Sequence, residues 1–151
     1  MIKLLSMSVF ALLPIANVWA MDVNDGWAKP SLTKQANNGA AYLTLTNPTN
    51  QNDRLLKASS EVADVVEIHE MTFDEGVMKM AEIDGLDIPT GETVKLEPGG
   101  YHIMLMGLND PLTAGKTFDV QLKFENAGTK SVSVDVRKPK EMHHNGHKHH
   151  K

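Results

Sequence analysis

Strict apolar–polar alternation toward the C-terminal end constrains this chain more than any other feature. Residues 118–124 read FDVQLKF, Asn126, Ala127 and Gly128 make a turn signal, and residues 131–136 read SVSVDV. A period of two puts every second side chain on the same face, so both runs read as strands with one buried side. The same grammar recurs upstream. Residues 41–46 (AYLTLT) are rich in strand formers and stop at the turn cluster 47–50; 65–73 and 77–83 flank Asp74, Glu75 and Gly76 as a hairpin. Residues 93–96 stop at Pro98, Gly99 and Gly100, after which 101–106 resume as strand. No stretch has helical periodicity; 59–64 is the one span with room for a helical turn. The pattern predicts an all-β sandwich or barrel.

The N-terminal segment does not belong to that pattern. Residues 1–20 carry one charge, Lys3, then an apolar run from Leu4 to Ile15 broken by Ser6, Ser8 and Pro14, and end with Val18 and Ala20 at the third-last and last positions. This reads as a cleavable signal peptide, because spanning a bilayer takes about 20 apolar residues. Export follows, with residues 21–137 as one folded domain and no membrane insertion of the mature chain. The sequence has no cysteine. That excludes a thiol nucleophile, a Cys-x-x-Cys motif and a thiolate-ligated blue-copper centre. The chain's net charge of −4, less Lys3 and the +4 carried from Arg137 onward, leaves −9 on residues 21–136. So acidic a body argues against nucleic acid or anionic membrane as partners.

Two of the seven histidines lie in the body, and each stands two residues before a methionine: His69 with Met71, His102 with Met104. In a strand, residues i and i+2 share a face, so each triplet presents an imidazole beside a thioether. Met78, Met80 and Met106 continue the spacing. The hairpin register decides what faces what. A loop of Asp74 and Glu75 sets His69 opposite Met80; a loop of Glu75 and Gly76 sets Met71 opposite Met80, still on the His69 face; a three-residue loop turns Met80 away. Methionine is a common core filler and a lone histidine is usually just hydrogen-bonded. The conjunction points further, because thioether suits Cu(I), imidazole suits copper in either state, and zinc rarely takes thioether.

The order His69, ten residues, Met80, twenty-one residues, His102, one residue, Met104 resembles the H-x10-M-x21-H-x-M pattern of the periplasmic PCuAC copper chaperones. Trp27, the strand 40–47, residues 96–108 (LEPGGYHIMLMGL) with Pro111 and Leu112, and Gly115, Leu122, Phe124, Gly128, Val132, Val134 and Val136 extend the resemblance over the mature body. It implies a cupredoxin-like Greek-key sandwich and a Cu(I) site of His69, Met80, His102 and Met104, with Met71 auxiliary. It implies delivery to a copper acceptor protein, either the Cu(A) subunit of a respiratory oxidase or a thioredoxin-like copper-insertion protein. It also implies a periplasmic location and a monomer rather than an enzyme.

After Val136 the composition changes. Residues 138–151 hold Met142, His143, His144, His147, His149 and His150 and no core formers, so they read as a disordered tail with auxiliary metal capacity, Cu(II) included. Among other classes, an electron-transfer cupredoxin lacks its thiolate, and a hydrolase lacks a third hard ligand at matching spacing. A copper- or zinc-buffering protein without a dedicated acceptor is the alternative that sequence does not separate from a delivery protein.

Overall fold

The computed structural model describes residues 20–139. The leader reading, apart from Ala20, and the histidines of the tail fall outside those residues. Ten strands follow in order: β1 Asp22–Ala28, β2 Asn38–Thr46, β3 Asp53–Ser59, β4 Ala63–Asp74, β5 Val77–Glu82, β6 Leu86–Ile88, β7 Thr93–Leu96, β8 His102–Leu108, β9 Thr117–Phe124 and β10 Thr129–Val136. The described residues contain no helix, and 59–64 holds a turn that leads into β4.

The strands form one sheet in the order β5-β4-β8-β2-β1-β10-β9-β3-β6, with β7 also paired to β2. β3 lies against β4, near the opposite end of that order, so the sheet curls upon itself. Inside the curl, alternate residues of strands from both ends meet in one core. Leu43 and Leu45 of β2, Ile103 and Leu105 of β8, Val120, Leu122 and Phe124 of β9, and Val134 of β10 are all buried there. The alternation of 118–124 and 131–136 therefore does what its period demands, burying every second residue of β9 and β10.

The same period fixes what points outward. On β4 and β8 the core takes Val66 and Ile68, Ile103 and Leu105. Glu67, His69 and Met71, with His102, Met104 and Met106, then fall on the outer face. The candidate ligands thus lie on the convex side of the sheet and outside its core. Three strands escape the sequence pattern. β1 contains Asn24, Asp25 and Gly26, a turn signal that the chain spends on a bulge instead: the register to β2 shifts between Asn24 and Trp27, and Asp25 has φ 52°. β3 (DRLLKAS) has no clean alternation, and β6 is three residues long.

Candidate metal centre

The hairpin of β4 and β5 closes with Asp74 opposite Val77, which leaves Glu75 and Gly76 as a two-residue loop with φ 48° and 80°. Two left-handed residues match the twist of the strands they join. This is the second of the three registers the sequence allows. Met71 stands opposite Met80, and His69 opposite Glu82. Met80 remains on the His69 face as its diagonal neighbour, half exposed at 49%.

On its other side β4 pairs with β8, placing His69 directly opposite His102 and Glu67 opposite Met104. The two imidazole centroids are 5.7 Å apart, with ring planes at 56°. His69, Met80, His102 and Met104 therefore share one face across three adjacent strands, with Met71 beside them. Met106 lies two residues further along, opposite Val65.

A turn sets β8 in place. β7 pairs with β2 over Leu43–Thr46, β8 pairs with the same edge of β2 over Asn38–Ala41, and the chain loops out between them. Gly99 takes φ 90°, and the Gly100 N–H donates to the Glu97 carbonyl at 3.0 Å. The Gly100 carbonyl is thereby turned toward β4. It accepts the Met71 N–H at 3.1 Å and stands 3.1 Å from His102 Nδ1.

These partners choose the nitrogen that each ring offers. With Nδ1–H of His102 donating to Gly100, its lone pair sits on Nε2. His69 is the mirror case: Nε2 lies 2.8 Å from a Glu67 carboxylate oxygen, and with Nε2–H donating there the lone pair sits on Nδ1. Among the described residues, Nδ1 of His69 is the one buried side-chain nitrogen or oxygen with no hydrogen-bond partner. An orphaned buried polar atom costs about 1–3 kcal/mol, a cost that binding a metal at that lone pair would remove. Metal-binding imidazoles are characteristically oriented by a carboxylate or carbonyl on the far nitrogen, as both rings are here.

His102 is 3% exposed. Burial pushes its pKa below the ordinary histidine value, against the opposing pull of the Gly100 carbonyl, and His69 nearby adds to the lowering. The neutral, metal-binding form is favoured. Behind it, Tyr42 lies 6.5 Å from the His102 ring, Trp27 lies 4.6 Å from Tyr42, and the Arg137 guanidinium sits 5.3 Å over Trp27. Among the described residues no three His, Cys, Asp or Glu side chains cluster as a metal site. The other side chains on the face of the two histidines include the thioethers of Met71, Met80 and Met104.

Sequence reading missed Glu67 and Gly100. Glu67 was legible in principle, since it stands two residues before His69 and so shares its face. The role of Gly100 depends on which way a carbonyl points, which spacing does not show.

Residues 21–136 match the LpqE-like lipoprotein family. A protein of Leifsonia xyli subsp. xyli named as a lipoprotein, Lxx21020, is 35% identical over 118 residues, covering 78% of this chain and 69% of that protein. The copper-bound PCuAC domain from PmoF2 superposes with a TM-score of 0.66 at 21% identity, covering 79% of this chain and 93% of that one. The solution structure of Cu(I)-bound DR1885 from Deinococcus radiodurans gives a TM-score of 0.61 at 32% identity, covering 82% and 83%. The chain belongs to the LpqE-like family, of the PCuAC type, and has the cupredoxin-like β fold of those domains.

Proposed function

We propose that this protein is a copper carrier that holds Cu(I) between His69, Met80, His102 and Met104 and hands it to an acceptor protein outside the cytoplasm. One observation carries the reading: the buried, unpartnered Nδ1 of His69, set opposite the His102 imidazole on a face otherwise supplied with thioethers. The copper-bound structural neighbours support the cargo, and the lipoprotein relative supports the location. Residues 1–20 act as the export signal, and the histidines of residues 143–150 add Cu(II) capacity.

The ligand set suits a carrier. Two imidazoles and two thioethers are neutral donors, so Cu(I) keeps its single charge in the site and its release leaves no anionic ligand behind. Met80, half exposed, is the ligand an acceptor reaches first, and exchange proceeds one ligand at a time. No role as an enzyme is proposed, since the face offers a cargo site and no nucleophile–base pair.

The test is transfer. The Cu(I)-loaded protein is mixed with an apo oxidase copper domain or with a thioredoxin-like copper-insertion protein. Copper should move to one of them faster than it dissociates into a chelator trap. Transfer no faster than dissociation would leave a buffering protein without a dedicated acceptor.

A further inference from the structure

Past Gly100 the sheet loses its third strand. β8 pairs with β4 only as far as His69, while β4 and β5 run on as a two-stranded ribbon to Glu75 and Gly76. One face of the ribbon carries Met71 opposite Met80 and Phe73 opposite Met78. The other carries Thr72 and Asp74 with Lys79, whose ammonium bonds the Asp74 carboxylate at 2.6 Å. Phe73 is 73% exposed and Met78 63%, so neither contributes to the core. Exposed apolar side chains on an edge strand invite aggregation and usually mark a site of interaction. Docking alone asks for apolar area, which leucine or valine would supply equally well. Three of these four side chains are thioethers, and only toward a soft metal do thioethers differ from leucine.

Position completes the case. Directly opposed residues have Cβ atoms about 4.5–5.5 Å apart, so the Met71 and Met80 sulfurs can reach one ion between them. Met78 stands two residues from Met80 on the same face and diagonal to Met71. We propose that Met71, Met78 and Met80 form an outer, all-thioether site that receives incoming Cu(I) and passes it inward to His69. The inference rests on the inner His69–Met80–His102–Met104 site, with which it shares Met80. In the handover the Met80 sulfur stays bound while the Nδ1 lone pair of His69 forms a bond and the Met78 thioether leaves; Met71 then leaves as His102 and Met104 bind. Cu(I) keeps its oxidation state. With the His69 ring proton on Nε2, against Glu67, no proton is displaced.

Stopped-flow loading from a Cu(I) chelate tests this on the chain from residue 21 to 151, wild type against the Met71→Leu, Met78→Leu double variant. Both side chains lie on the ribbon, and leucine conserves their volume, so the fold is kept. Loading should slow about fivefold or more, while equilibrium affinity changes by less than about twofold. Loading at the wild-type rate would overturn the outer site and leave the apolar face to protein contacts. A rate and affinity that fall together would overturn it too, making both methionines inner ligands. Ag(I), a redox-inert probe, supplies the second readout. In a His69→Asn variant the methyl signals of Met71, Met78 and Met80 should shift together, resolved from that of Met142; unshifted signals overturn the outer site. The inner site is judged separately in the wild type, where silence of His69, His102 and Met104 at one equivalent of Ag(I) would contradict it.

Discussion

Glu67 decides which nitrogen His69 offers, and that choice is open to measurement. Glu67→Ala removes the acceptor at Nε2, frees the ring to rotate and change tautomer, and should weaken Cu(I) binding about 10–100-fold. Glu67→Gln keeps an acceptor oxygen and should recover most of that loss, which a chelator competition titration will show. Met104 asks a different question. Met104→Leu is nearly isosteric, so the metal-free protein should keep its stability within about 1.5 kcal/mol while Cu(I) affinity falls. Unchanged affinity beside a collapsed melting temperature would identify Met104 as packing. His102 sets a pH dependence. Its pKa is lowered in the fold by burial, so below an unfolded value of about 6.5 the unfolded chain binds protons more readily than the native one. The contribution is fully present above about pH 6.5 and is lost as pH falls toward the folded value. Urea midpoints of the metal-free protein should decline from pH 7.5 to 5.5, and less steeply in His102→Gln.

At the scale of elements, the loop of Glu75 and Gly76 aligns the thioethers of β5 with the imidazole of β4. Glu75 occupies a left-handed conformation that asparagine tolerates better. Glu75→Asn should therefore stabilise the fold by about 0.5–1 kcal/mol without shifting the register, read as a raised urea midpoint with unchanged Cu(I) affinity. The turn before β8 should respond differently. Gly99 has φ 90° and open space where a side chain would go, so Gly99→Ala meets backbone strain alone, about 1–2 kcal/mol. By moving the Gly100 carbonyl it should weaken Cu(I) binding as well. These two turns mark where sequence reading ends. β9, β10, β2 and β7 were legible from alternation and punctuation, and so were the shared faces of His69 with Met71 and of His102 with Met104. The hairpin register stayed among three choices, because loop length depends on φ at Glu75. The pairing of His69 with His102 was illegible for another reason: it depends on which strands become neighbours across thirty-three positions of chain. β1 hid because its Asn-Asp-Gly bulge looks like a turn.

For the molecule as a whole, the curled sheet separates the stabilising core from the candidate ligands. The core of Leu43, Leu45, Ile103, Leu105, Leu122 and Phe124 fills one face, and the histidine–methionine constellation occupies the other, so ligand changes need not unfold the protein. The tail should be separable too: removal of residues 142–151 should lower Cu(II) stoichiometry and leave the melting temperature of the body unchanged, since Met142 is the one apolar side chain in that sequence. The tail-free body then isolates the inner site. X-ray absorption at the copper edge, recorded on residues 21–139 loaded with one equivalent of Cu(I), reports the donor atoms directly. The spectrum should show a mixed shell of two imidazole nitrogens and two sulfurs, with the imidazole signature halved in a His69→Ala variant. A shell of nitrogen and oxygen without sulfur, or of sulfur without imidazole, would contradict it.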